Sequence, residues 1–321
     1  MHLVKNQEEH MYTKNKKDFL SITDISTEEI LAIFQTAKKL KNQLKKSGKN
    51  KQVLQGKSLA LVFEKQSLRT RISFEIGMAQ LGGHTVYLDP RDTGIGVRES
   101  EEDVARVLSS MADIIAVRTY SHQTIVRLAT SSTVPVINAL SDIEHPCQAL
   151  TDLFTLWEIK GKLNGLTIAC VGDGDNNVVH SLCIGATMFG MKFRCASPKG
   201  YAMNKDIIGK IRQSQKNSVM QTIEPEKAVA NADIVVTDTW VSMGDENKEE
   251  RLKLFTPYQV NTKLMQYAKK GAIFMHCLPA YRGKEVTAEV IDGKQSVVFQ
   301  EAENRLHVQK ALLLFLLEKH S

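Results

Sequence analysis

At 321 residues, 42% hydrophobic and 24% charged, the chain has room for about two domains with substantial cores and the composition of an ordinary globular protein. No apolar run reaches the roughly 18 residues of a membrane span, and the opening stretch carries Glu8 and Glu9 without an apolar core, so a membrane, signal or transit segment is not expected and the expected location is cytoplasmic. The formal charge of +6 comes mostly from lysines in residues 14–17 and 38–51 with few aromatics among them, the pattern of a solvated face rather than of a nucleic-acid surface.

Taken in chain order, short apolar strands alternate with amphipathic helices. The first strand, residues 58–63, runs into Glu64-Lys65-Gln66-Ser67-Leu68-Arg69-Thr70-Arg71, a turn rich in hydroxyl and guanidinium groups that opens a helix. The first backbone N–H groups of a helix have no intrahelical partner, the helix dipole favours an anion there, and arginines add forked, charge-assisted hydrogen bonds, so this turn predicts a phosphate ligand. Strands are predicted next over residues 85–88, 114–117 and 134–137. Between them residues 102–112 form a helix with Val104, Val107, Leu108 and Met111 on one face. Arg118 directly follows the third strand, and the fourth leads to His145-Pro146-Cys147-Gln148.

A long helix over residues 147–160 marks the hinge, and a second set of strands is predicted at 166–171, 192–196, 233–237, 272–275 and 296–299. A helix over residues 305–319 is apolar enough to pack back on the first half. The expected fold class is therefore α/β, two domains each with a central parallel sheet flanked by helices and joined by interdomain helices, with domains over residues 1–152 (plus 305–321) and 153–304. Ligands of open parallel sheets sit beyond the carboxyl ends of the strands. There the second half offers Gly172-Asp173-Gly174-Asp175-Asn176-Asn177, then Asp238-Thr239-Trp240-Val241-Ser242-Met243-Gly244, then His276-Cys277-Leu278-Pro279, then Glu301-Ala302-Glu303-Asn304-Arg305. The first half offers cations and donors, the second carboxylate, amide and thiol groups, a division that fits one anionic and one amino-bearing substrate. The glycine pair after residue 171 lacks the third glycine of a dinucleotide fingerprint. Cys147, Cys170, Cys183, Cys195 and Cys277 show no C-x-x-C or metal spacing, so they read as reduced thiols.

Four separated stretches carry a resemblance to a known family. The Ser67-Leu68-Arg69-Thr70-Arg71 run after Phe63-Glu64-Lys65 resembles the carbamoyl-phosphate motif of the transcarbamoylases, and His145-Pro146-Cys147-Gln148 is similar to a second mark of that family. Residues 238–244 and His276-Cys277-Leu278-Pro279 resemble the ornithine carbamoyltransferases and differ from the aspartate enzymes. The resemblance covers the chain from about Asp18 to its end.

It implies transfer of a carbamoyl group from carbamoyl phosphate to the δ-amine of ornithine, in arginine metabolism and in the biosynthetic direction. It implies that Ser67, Leu68, Arg69, Thr70 and Arg118 hold the phosphate, and that His145, Gln148 and Arg305 polarise the carbamoyl oxygen, with Cys277 and Leu278 completing that substrate's set. Asn177, Asp238, Ser242 and Met243 are implied to fix the α-amino and α-carboxylate groups of ornithine. Catalytic roles fall to Cys277, Arg305, His145 and Arg118. Neither metal nor nucleotide cofactor is implied, and the assembly implied is a homotrimer or stacked trimers.

Two departures stand out. Ornithine enzymes usually carry threonine where this chain has Leu68, and leucine there also resembles transcarbamoylases acting on acylated ornithines; Gly94 stands where many relatives place a polar residue. Putrescine or an N-acylated ornithine is therefore the alternative acceptor, and a binding protein without turnover the alternative class.

Overall fold

The computed structural model describes residues 16–89, 94–215, 218–241 and 248–320. The chain divides into two compact units, one of residues 1–147 with 306–321 and one of residues 148–305. The division lies earlier in the helix Pro146–Lys160 than the expected boundary at 152/153. Gln148 and Asp152 bond to each other, and Gln148 also reaches Glu301 and Arg305, which draws this stretch into the second unit.

The first unit is built on a four-stranded parallel sheet of β1 (Ser58–Phe63), β2 (His84–Leu88), β3 (Ile114–Arg118) and β4 (Val136–Leu140), in the order β2-β1-β3-β4. Its strands are short runs of branched and apolar residues; β1, β3 and β4 are buried along almost their whole length, as parallel strands covered on both faces must be. Val62, Ile115, Val117 and Val136 pack there with Val104, Ile125 and Leu128 from the helices Glu101–Met111 and His122–Ser131. Because β2 and β3 lie on opposite sides of β1, the chain reverses its direction of winding between β1 and β3. That switch point is where a doubly wound sheet leaves a crevice at its carboxyl edge.

The C-terminal part of the long helix Val298–His320 belongs to this unit. Leu312, Leu313 and Leu316 are fully buried, and the buried Lys310 ammonium donates to Asn50 Oδ1 at 2.6 Å and Gln80 Oε1 at 2.7 Å. Burial pushes that lysine down to about 8, since its partners are neutral amides rather than carboxylates.

The second unit holds a five-stranded parallel sheet of β5 (Thr167–Val171), β6 (Lys192–Ala196), β7 (Val219–Thr222), β8 (Ile234–Val236) and β9 (Ile273–Met275), in the order β7-β6-β5-β8-β9. Its switch point lies between β5 and β8. Gly174, just past β5, has no room for a side chain, because an added Cβ would lie 2.7 Å from the carbonyl oxygen of Tyr201.

Three expectations need correction. Residues 296–299 form no strand: Ser296 makes one bridge to Phe274, and the helix-forming run that follows enters the terminal helix at Val298. Arg305 therefore projects from within a helix rather than from a loop after a strand. The edge strand β7 was not expected, because its Gln221 and Thr222 give it no apolar run. The fourth strand lies two residues further on than expected, Val136–Leu140 against 134–137, since Ser132 caps the turn at Val134 by donating to its carbonyl at 2.7 Å.

Candidate active site

In the first unit the residues singled out by sequence gather at the switch point. Ser67 caps the helix Leu68–Gln80, its hydroxyl accepting from the Thr70 N–H at 3.3 Å and lying 3.0 Å from the Thr70 hydroxyl. From the end of β3, Arg118 directs its Nε–H to the Lys65 carbonyl at 3.2 Å, and the Glu64 N–H donates to the Arg118 carbonyl at 2.8 Å. The Glu64 carboxylate accepts from the Thr119 hydroxyl and, at 3.1 Å, from the Tyr120 N–H. The turn after β1 is thus tied to the turn after β3, with Arg69 in the first turn of the helix and Arg118 at the end of the neighbouring strand.

Arg71 does not take part. Its guanidinium stacks on Tyr87 at 3.8 Å from the ring centroid and pairs with Glu75 at 3.0 Å. Leu68 is 68% exposed, so its side chain contributes nothing to the turn and only its backbone N–H is left to serve a ligand. Gly94 sits at φ +54° with a Cβ position 2.8 Å from Arg98 Cβ, which gives it a turn-forming role. His145 is buried at 4% exposure directly before the helix Pro146–Lys160.

The second unit gathers its own group. Asn176 divides its amide: the oxygen accepts from the Val178 N–H at 2.8 Å, capping the helix Asn177–Met188, while the nitrogen donates to Asp238 Oδ2 at 3.1 Å. The other Asp238 oxygen accepts from the Thr239 N–H at 2.7 Å and from the Cys277 thiol at 3.3 Å. Asn177, the first residue of that helix, and Asp238 therefore lie at the β5/β8 switch point, and Cys277 just past β9. Ser242 and Met243, expected here, lie outside the described residues. On the near side of that segment Trp240 is buried, and on the far side Arg251 donates both to the Trp240 carbonyl and to the half-buried Asp173.

Behind Cys277 lies a buried polar group in which Gln148 and Arg305, both expected at the site, meet Asp152 and Glu301, to which sequence reading gave no site role. Gln148 donates from Nε2 to Asp152 Oδ1 at 2.7 Å and to Glu301 Oε1 at 3.1 Å, and Arg305 Nη1 donates to Gln148 Oε1 at 2.5 Å. The other Glu301 oxygen accepts from the His276 N–H at 3.1 Å. The signal was present: Gln148, Thr151 and Asp152 stand in a helix segment whose neighbours Ala149, Leu150, Leu153 and Phe154 are all fully buried.

Leu278 holds a left-handed backbone, φ 59°, stabilised by its N–H donating to His276 Nδ1 at 2.9 Å. A leucine in that region costs of order 1–2 kcal/mol, so the turn carrying Cys277 and Leu278 is a strained one. The donor atoms of Asp238, His276 and Cys277 fall within 4.8 Å of one another. His276 Nδ1 is nevertheless taken by the Leu278 N–H, while Nε2 lies 3.4 Å from Glu285 without a hydrogen bond.

Burial, then the charges of Asp238, Glu301 and Asp152, push the Cys277 thiol well above its ordinary range. At neutral pH Cys277 is a thiol that donates to Asp238. Iodoacetamide at pH 7 is therefore expected to label Cys277 at least about tenfold more slowly than a free cysteine; fast labelling at pH 7, read by peptide mass, would show a thiolate and overturn this.

Comparison with known proteins bears on both units. The family description "Aspartate/ornithine carbamoyltransferase, carbamoyl-P binding domain" matches residues 17–158, and its companion "Asp/Orn binding domain" matches residues 164–316. The ornithine carbamoyltransferase of Anoxybacillus flavithermus is 50% identical over 305 residues, 94% of this chain and 96% of its own length. Among solved structures, that of the ornithine carbamoyltransferase from Pyrococcus furiosus is similar with a TM-score of 0.89 at 48% identity, over 94% of this chain and 96% of that one. The anabolic ornithine carbamoyltransferase from Campylobacter jejuni is similar with a TM-score of 0.85 at 40% identity, over 94% and 98%.

Proposed function

The chain belongs to the aspartate/ornithine carbamoyltransferase family, and from that premise we propose how its residues divide the work. The reaction is transfer of the carbamoyl group of carbamoyl phosphate to the δ-amine of ornithine, giving citrulline and phosphate. The observation that carries the residue assignments is that each sheet presents its motif at its own switch point, cations and helix N–H groups in the first unit, Asp238 and Asn177 in the second.

In this reading the Ser67 and Thr70 hydroxyls and the N–H groups of Leu68 and Arg69 receive the phosphate, with the Arg69 and Arg118 guanidinium groups completing it. His145, Gln148 and Arg305 aim at the carbamoyl oxygen. As the δ-nitrogen bonds to the carbamoyl carbon that oxygen gains negative charge, and each donor aimed at it contributes roughly 3 kcal/mol. The tetrahedral centre then collapses, the bond from carbon to the phosphate oxygen breaks, and phosphate takes up the proton lost from the δ-nitrogen and leaves on the cationic turn. The Leu278 backbone meets the carbamoyl group, while Asn177, Asp238, Ser242 and Met243 hold the α-groups of ornithine. Cys277, protonated at neutral pH, donates to Asp238 and so orients that carboxylate rather than removing a proton from the reacting amine. The chemistry needs no metal or nucleotide, because the mixed anhydride is already activated.

Flux toward citrulline, in arginine biosynthesis, is the direction we propose, in keeping with the anabolic relative from Campylobacter jejuni. The same reading places the protein in the cytoplasm; among the described residues no helix is long and apolar enough to cross a membrane. A homotrimer or stacked trimers is supported by an exposed apolar stripe, Leu68, Ile72 and Ile76 along one helix and Val86 on the edge strand β2.

The deciding experiment is product formation from ornithine, putrescine and N-acetylornithine with carbamoyl phosphate. Putrescine lacks the α-carboxylate and α-ammonium, and an acetyl group buries an amide against Asp238, each leaving polar groups unpaired at about 1–3 kcal/mol apiece. Ornithine is expected to lead both by at least about a hundredfold in kcat/KM. Equal rates with putrescine or N-acetylornithine would overturn the acceptor assignment, and no product from any amine would overturn the activity.

A further inference from the structure

We propose that Asp152 and Glu301 form a buried pair of carboxyl groups sharing one proton, and that this pair is the positioning device for Gln148, Arg305 and the turn carrying Cys277. The inference rests on the assignment of Gln148 and Arg305 to the carbamoyl oxygen and assigns a role to two residues outside that set.

Geometry carries it. Asp152 and Glu301 are 3% and 1% exposed, and one amide nitrogen, Gln148 Nε2, donates to both, at 2.7 and 3.1 Å. Held on the two hydrogens of one amide nitrogen, the buried carboxyls stand side by side, with the Arg305 guanidinium as the cation on the same amide. Two like charges brought together out of water disfavour double ionisation, so one of the pair keeps a proton. Burial acts in the same direction, pushing Asp152 up to about 7 and Glu301 well above the usual carboxylate range. The charges facing the pair are those of Arg305 and Asp238, with the Cys277 thiol close by. With one proton the pair carries a single negative charge, balanced by the Arg305 guanidinium.

The consequences reach three parts of the site. Because both carboxyls accept from the Gln148 nitrogen, its oxygen is turned to Arg305, which it holds at 2.5 Å. The second Glu301 oxygen accepts from the His276 N–H at 3.1 Å and so fixes the start of the turn that carries Cys277 and Leu278. Loss of the shared proton places two adjacent negative charges on Arg305 and draws the guanidinium toward them and away from a ligand.

The test is carbamoyl-phosphate binding by calorimetry to the full-length wild type and Asp152→Asn from pH 6.5 to 8.5. The amide keeps the shape and a donor toward Glu301 without a titrating proton. Wild-type affinity is expected to fall by about tenfold or more across that range, while that of Asp152→Asn stays within about twofold. A wild-type pH profile in the variant, or a loss of affinity equal at every pH, would overturn the proposal, the latter because it marks a merely structural role. Infrared titration of the wild type gives a second reading that needs no variant and no ligand. A protonated-carboxyl carbonyl band is expected at pH 6 and is expected to vanish above pH 8; its absence at pH 6 overturns the shared proton. A protein that binds no carbamoyl phosphate at any pH refutes the functional reading, and the infrared band then still decides on the pair.

Discussion

Asp238→Asn is expected to lower kcat/KM for ornithine by at least about a hundredfold and to leave carbamoyl-phosphate affinity within about threefold of wild type. The reason lies in how the carboxylate is held. Both of its oxygens are acceptors in the structure, one for the Thr239 N–H and the Cys277 thiol, the other for the Asn176 amide. An amide in the same place presents a donor to one of these donors and loses the charge that matches an α-ammonium. An unpaired polar group and a lost charge partner in a half-buried site together reach about 3 kcal/mol or more, which is the hundredfold. The carbamoyl-phosphate turn is unaffected because its residues belong to the other compact unit. Steady-state kinetics with ornithine varied, beside calorimetry with carbamoyl phosphate, check both halves. An unchanged ornithine rate would place the α-ammonium elsewhere.

The strand pattern was legible because parallel strands buried on both faces must be apolar along their length; β1 falls where the sequence places it, and β5 starts within one residue of its expected start. The motif residues were legible for a second reason: a ligand at the carboxyl edge of such a sheet needs cations, amides and carboxylates directly after strands, where a merely structural loop needs only turn formers. What stayed hidden depends on partners far apart in sequence. Nothing near Glu301 signals that it meets Asp152 through Gln148, and nothing near Asn176 signals that one amide caps a helix and holds Asp238 at once. Arg71 shows the converse. Local chemistry placed it with Arg69 at the phosphate turn, but the helical period points it the other way, onto Tyr87. Residues 296–299 misread as a strand for a similar reason, since a short apolar run is ambiguous until its neighbours on the helix are counted.

Arg69→Lys is expected to lower kcat/KM for carbamoyl phosphate by at least about a hundredfold, although the charge is kept. A planar guanidinium grips a phosphate with two parallel N–H bonds, whereas an ammonium on a flexible stem offers a single strongly hydrated point charge. Position makes this arginine hard to replace. It is the second residue of the helix Leu68–Gln80, in the turn where unpaired N–H groups and the helix dipole already favour an anion. The neighbouring cation on that helix is turned away, with Arg71 stacked on Tyr87 and paired with Glu75. The remaining fork, Arg118, already spends its Nε–H on the Lys65 carbonyl at 3.2 Å, so it cannot grip the phosphate with all five donors in compensation. Arg71→Lys supplies the internal contrast: the ion pair and the stacking on Tyr87 survive in part, and activity is expected to stay within about threefold. Kinetics on the two variants side by side check the assignment. Equal losses, or an Arg69→Lys enzyme within about threefold of wild type, would mean that the phosphate is held by the helix N-terminus and Arg118 without a fork from Arg69.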